Sequence, residues 1–243
     1  MLKAEYGIVK VNETWQVDEK QPIGYSRVYY IYDGDVTYYD GTMEKKLKQH
    51  HIYIFPSNLP YNMINNMQNP LFCLYLHLDL FPSVISHLIE IKVKDTPFLK
   101  SLFDTIAICI SEKKQALLAI LVSAFEKFLY EEQYIPKLSA AFTKTLLYIA
   151  EHYSEPLTVE QLSRLAGYNP CYFIRLFKKT TGISPYRYVT TFRMKTACLM
   201  LENGAGITET AFRTGYRDVK TFARCFCNTF GVSPGKYKKM IQA

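Results

Sequence analysis

From residue 158 onward, apolar positions fall three and four apart in short blocks, and the blocks themselves recur. Val159, Leu162, Leu165 and Ala166 share one helical face, and Phe173, Leu176 and Phe177 share the next. Thr158 with Gln161 forms a capping box that starts the first helix, and Gly167 is the residue type that ends it. Asn169 followed by Pro170 opens a second helix, and Gly182 stops it. Ser184-Pro185 opens a third, which runs to about Glu202. The scheme then repeats. Phe173, Arg175, Phe177, Gly182, Ser184, Pro185 and Tyr188 return 49 positions later as Phe222, Arg224, Phe226, Gly231, Ser233, Pro234 and Tyr237. The second copy has a short helix around Thr208–Thr214, Gly215 as its stop, Asp218 as the next cap and a last basic helix from Ser233-Pro234. A repeat this regular means two copies of one supersecondary unit, and the unit reads as a helix-turn-helix.

The first 80 residues follow a different period. RVYYIYDG, VTYYDG, HIYIFPS and LFCLYLHLD are rich in β-branched and aromatic residues, punctuated by Asp33-Gly34, Asp40-Gly41 and Asn69-Pro70. Short strands at this spacing predict a sandwich or small barrel. Between residues 96 and 133 the helical period returns. Phe98, Leu102, Phe103, Ile106 and Ile110 form one stripe; Leu117, Leu121, Ala124, Phe125 and Phe128 form another. One of these helices is expected to pack on the sheet. A break around Pro136 precedes a helix from Leu138 to His152. The expected class is therefore α+β, with a sheet-and-helix domain at 1–135 and an all-α domain at 136–243.

Charge sharpens that boundary. Residues 1–135 hold 13 Lys/Arg against 16 Asp/Glu, and residues 136–243 hold 16 against 6. The whole chain of 243 residues is +7, so the basic excess lies entirely on the carboxy-terminal side and points to a polyanion partner for that side alone. The amino terminus lacks a signal-peptide pattern and no apolar run approaches a membrane span, which predicts a soluble, cytoplasmic protein with no membrane partner. Cys73, Cys109, Cys171, Cys198, Cys225 and Cys227 have neither C-x-x-C nor paired spacing, so no zinc site or disulfide framework is signalled.

The last hundred residues resemble the DNA-binding module of the AraC/XylS family of bacterial transcription regulators. The resemblance rests on Gly182-Ile183-Ser184-Pro185, Tyr188, Arg193 and Ala197, then on Ile207, Ala211, Gly215-Tyr216, Phe222, Arg224, Phe226, Gly231-Val232-Ser233-Pro234 and Tyr237. Ser163 and Cys227 depart from the family pattern, where Ala and Lys are usual. The resemblance implies a regulator that sets two recognition helices in successive major grooves of double-stranded DNA. It implies that Cys171, Tyr172, Ile174 and Arg175 face the groove from the first helix, and Val219, Lys220, Thr221, Ala223 and Arg224 from the second. Asn169, Lys178 and Lys179 complete the candidate interface as cap and phosphate contacts. Arg175 and Arg224 occur in both copies and fit anchoring. Lys220 has no counterpart in the first copy and fits base discrimination.

The amino-terminal part looks like the cupin-type effector domain found ahead of such modules. It lacks the cupin metal signature: His50 and His51 are adjacent and face opposite ways on a strand. No cofactor or metal is expected. Trp15, Tyr30, Tyr32, Tyr38, Tyr53 and His77 are the candidate ligand-binding residues, with a sugar or related polar metabolite as the first candidate effector. The family resemblance also implies a homodimer through residues 96–133 and an activator for which RNA polymerase is a candidate partner. Two alternatives stand beside this reading: a DNA-binding protein whose sheet domain only dimerises, and an enzyme with a cupin active site. No nucleophile–base pair or metal-ligand spacing supports the enzyme.

Overall fold

A computed structural model describes residues 5–19, 25–57, 59–80, 83–135 and 138–242. Its described residues form two compact units, one reaching Ile135 and one beginning at Leu138. Pro136, where the sequence places the break, lies outside the described residues.

The described residues of the first unit form nine strands: β1 (Tyr6–Lys10), β2 (Gln16–Glu19), β3 (Ser26–Asp33), β4 (Val36–Tyr39), β5 (Glu44–Lys46), β6 (His51–Ile54), β7 (Tyr61–Asn65), β8 (Phe72–Leu78) and β9 (Ile89–Lys92). They build a five-stranded sheet in the order β1-β8-β3-β6-β9 and a four-stranded sheet in the order β2-β7-β4-β5, with every pairing antiparallel. The central strand β3 is covered on both faces, which is why SRVYYIYD does not alternate apolar with polar. Tyr29 and Ile31 point between the sheets, where they meet Tyr38, Tyr53, Phe55, Tyr61 and Met63. Val28 and Tyr30 point the other way, into a second core shared with two helices. These are α1 (Pro97–Ser111) and α2 (Gln115–Glu131). Leu99, Leu102, Phe103 and Ile106 of α1 and Leu118, Phe125 and Leu129 of α2 are buried there. The stripe expected on α2 is turned by about one residue. Leu121, Ala124 and Phe128 are half-buried beside Leu118, Phe125 and Leu129, while Leu117 and Ile120 stay exposed.

The second unit is all helix: α3 (Ala140–His152), α4 (Val159–Leu165), α5 (Pro170–Thr181), α6 (Pro185–Glu202), α7 (Ile207–Arg213), α8 (Val219–Phe230) and α9 (Pro234–Gln242). The capping box at Thr158 and Gln161 has both of its hydrogen bonds. Ser184 caps α6 by accepting from the Arg187 backbone N–H. Gly182 and Gly231 end α5 and α8 in the left-handed region, with φ of 78° and 71°. No helix among the described residues is long and apolar enough to cross a membrane.

Candidate nucleic-acid interface

Helices α5 and α8 are built alike. Each buries two phenylalanines four residues apart, Phe173 with Phe177 and Phe222 with Phe226, and keeps a polar and basic face exposed. The buried rings fix the roll of the helix about its own axis, and so decide which side chains face outward. On α5 the outward set is Cys171, Tyr172, Ile174, Arg175, Lys178 and Lys179. On α8 it is Lys220, Thr221 and Arg224, all exposed, while Val219 and Ala223 are half-buried and Val219 packs against the core of this half. Among the ion pairs recorded between described residues, none engages Lys178, Lys179 or Lys220.

The two helix starts differ in charge. Asn169 accepts from the Tyr172 backbone N–H at 2.9 Å, so α5 is capped by a neutral amide. Asp218 accepts from the Thr221 N–H at 2.7 Å, and that bond holds its carboxyl below the usual range. A carboxylate at the start of α8 offsets the positive end of the helix dipole. The exposed positive charge on α8 is carried by the side chains of Lys220 and Arg224.

Helix α6 joins the two halves. Tyr188 meets Phe177 edge-on at 5.3 Å in the first half, while Met194, Ala197 and Leu201 belong to the core of the second with Phe222 and Phe226. Its 18 residues span about 27 Å at 1.5 Å each. That compares with about 34 Å between successive major grooves on one DNA face.

In the first unit, residues of β1, β2, β3 and β8 line a cleft of about 730 Å³ that opens to solvent. Of the candidate ligand-binding residues, Trp15 and His77 line it, together with Arg27, Tyr29 and Tyr75. The other candidates sit elsewhere. Tyr30 packs edge-on against Phe103 at 5.6 Å, on the helix side of the sheet, and Tyr32 lies on that same side against Phe72. Tyr38 and Tyr53 are fully buried between the sheets, their hydroxyls donating to Asp40 and Glu90. Arg27 was overlooked in the sequence. A lone cation inside an aromatic strand, in step with the inward-facing Tyr29, is the signal that identifies it. Its guanidinium contacts Glu19 at 2.5 Å and donates to the Tyr61 hydroxyl at 2.7 Å. His77 bonds Glu5 at 3.1 Å and stacks on Tyr25. Burial and the nearby Arg27 charge push the His77 pKa down, against the pull of Glu5. The Cys73 thiol is pushed up to about 12 by burial, so it is an inert part of the wall. Among the described residues, no cluster of three His, Cys, Asp or Glu side chains is placed to hold a metal ion.

Residues 162–240 match the family model of a helix-turn-helix domain. The HTH-type transcriptional regulator YobQ of Bacillus subtilis is 32% identical over 111 residues, 45% of this chain and 46% of that one. The multiple antibiotic resistance protein MarA of Salmonella typhimurium is 34% identical over 92 residues, which are 37% of this chain and 72% of MarA. The chain spans about half the length of the first curated relatives it matches. In fold it is similar to ToxT from Vibrio cholerae, with a TM-score of 0.65 over the whole of both chains at 11% identity. A ToxT structure with a bound unsaturated fatty acid gives a TM-score of 0.64 at 13% identity, over 99% of this chain and 96% of that one. The duplicated, capped helix pairs on one shared helix and the likeness to MarA over most of its length lead to one conclusion: the chain belongs to the AraC/XylS family of transcription regulators.

Proposed function

We propose that the chain is a ligand-responsive, sequence-specific regulator, an activator that lays α5 and α8 into successive major grooves of double-stranded DNA. The observation that carries this reading is the paired construction of those helices. Each is rolled by two buried phenylalanines so that polar and basic side chains face out, and both are mounted on α6. Arg175, Lys178, Lys179 and Arg224 supply phosphate contacts, and Lys220, Tyr172 and Ile174 face base edges. The cavity beside Trp15, Arg27 and His77 is the effector site. Its wall combines aromatic faces with two acid–base pairs, which suits a small ligand with a polar or charged head. ToxT, similar in fold, has a structure with a bound unsaturated fatty acid, a ligand with a charged head and an apolar tail. A sugar stays in the test set beside carboxylates.

Selection of bound duplexes from a random pool tests the DNA-binding part. The expected result is one preferred site holding two motifs about one helical turn apart. Recovery of unrelated sequences would leave only non-specific polyanion binding. The effector part is tested by melting the protein with panels of sugars and carboxylates. A true ligand raises Tm further as its concentration grows. If no compound does so, the sheet unit is a dimerisation scaffold, the second reading.

A further inference from the structure

Helix α6 changes allegiance along its length. Pro185, Tyr188 and Val189 are buried near its start, with Tyr188 against Phe177 of the first half. Met194, Ala197 and Leu201 are buried in the second half's core. Between these stretches a lone helix would be the only mechanical link between the two recognition helices, free to bend and twist. The structure supplies a second link at that point. Arg193 donates from Nε to the Tyr153 carbonyl at 2.6 Å and from its terminal nitrogen to the Glu155 carbonyl at 2.8 Å. These carbonyls belong to the turn that follows α3 and leads into the first helix-turn-helix. The same guanidinium lies 5.6 Å from the centre of the Tyr216 ring, in the turn between α7 and α8. Beside it Gly215, at φ 83°, packs so closely on Ser154 that an added Cβ would come within 2.5 Å of the Ser154 carbonyl oxygen. The turn of the second helix-turn-helix therefore rests directly on the turn that leads into the first helix-turn-helix, with Arg193 clamped between them.

Resting on the DNA-binding reading above, we propose that Arg193 is a positioning residue: it fixes the separation and rotation of α5 relative to α8, and thereby the one half-site spacing the protein accepts. It acts through the two turns and touches no DNA itself. Guanidinium geometry suits the task, because a planar fork can bond two carbonyls and lie over a ring at once.

The test uses the full chain and its pool-selected duplex, alongside versions with one base pair added or removed between the half-sites. Each such change turns one half-site by about 34° and shifts it by about 3.4 Å. Wild type should lose on the order of 10- to 100-fold in affinity, the range a lost base contact costs. Arg193→Ala should bind the selected duplex more weakly and the altered ones nearly as well, shrinking the ratio to less than about threefold. Its affinity for a duplex carrying a single half-site should match wild type. Arg193→Lys, which reaches one carbonyl but does not fork across two, should fall between. A folded Arg193→Ala protein that keeps the wild-type ratio overturns the inference, whatever its overall affinity. So does a wild type indifferent to spacing. If Arg193→Ala fails to show a cooperative melt, the Arg193→Lys ratio decides by the same rule. A wild type that prefers no sequence overturns the DNA-binding reading as well, so the two failures are distinguishable.

Discussion

Lys179 and Lys220 carry the same charge and are both exposed, yet their places on the helix predict different consequences. Lys179 lies two residues before the end of α5, and the proposed docking, which puts the start of that helix in the groove, assigns it to phosphate. Lys179→Ala should therefore weaken all duplexes about equally and reduce the salt slope by roughly one unit. Lys220 is the second residue of α8, and the proposed docking turns it towards a guanine edge. Lys220→Ala should cost about 1–3 kcal/mol on the selected site, relax one base position and spare random DNA. Equal losses on selected and scrambled duplexes would make Lys220 another phosphate anchor. In the other unit, His77 predicts a pH response. Its folded pKa lies below the unfolded value, so the unfolded chain binds its proton first and stability falls as pH drops below about 6.5. His77→Gln should flatten the melting temperature on the acid side of that value. A variant with an unchanged pH profile would mean the imidazole is not destabilised by the cavity.

At the scale of elements, the helices show how far sequence can be read. Caps, glycine stops and the buried pair of phenylalanines act within four residues along the chain, so the order of the seven helices among the described residues of the second unit was legible, with the stated boundaries within two residues. Removing such a local device should have a local effect. Thr158→Ala leaves the Gln161 N–H without its acceptor and should cost about 1 kcal/mol in a denaturant melt. A change below a few tenths would mean that water replaces the cap at no loss. The sheet was harder to read. β7 is Tyr-Asn-Met-Ile-Asn, with Asn65 buried beside Tyr61 and Met63 while the apolar Ile64 is exposed, and β5 is a three-residue edge with two lysines. Neither resembles the apolar runs that marked β3 and β8. Which tyrosines face the cavity depended on the parity of β3, and its doubly covered middle hides that parity. Helix α2 is apolar nearly all round between Ala116 and Val122, so its period alone left the buried stripe one residue uncertain. Non-local bonds were invisible altogether. Arg193 reaches back 40 residues to the Tyr153 carbonyl, and Lys238 of α9 reaches back to the Gly204 and Ala205 carbonyls. Each cation bonds carbonyls in the turn leading into a helix-turn-helix from the helix that follows that unit. The two residues do not correspond in the 49-residue register, so the sequence repeat conceals the shared device.

At the scale of the whole molecule, the helix pair of the first unit leaves apolar side chains in water. Ile108 of α1 and Leu117 and Ile120 of α2 are 56%, 51% and 65% exposed, all near the Glu112–Lys114 turn that joins the helices. The core beneath is complete without them, because Leu118, Phe125 and Leu129 already close it. Three large aliphatic side chains held in water on adjoining helices favour burial against a partner, and the proposed homodimer supplies one through an isologous patch. Wild type should then sediment as a dimer at tens of micromolar. Ile120→Lys removes an apolar contact from that patch and adds a charge, yet within one chain it touches solvent more than protein. It should shift the protein towards monomer while leaving the melt of the monomer within about 0.5 kcal/mol of wild type. Its DNA binding should separate the two levels of recognition. Affinity for a single two-motif site depends on α5 and α8 of one chain and should hold, whereas affinity for two such sites in tandem should lose the gain from linked binding, on the order of 100-fold. A wild type that sediments as a clean monomer, or an Ile120→Lys protein that stays dimeric, would place the dimer contact away from this patch.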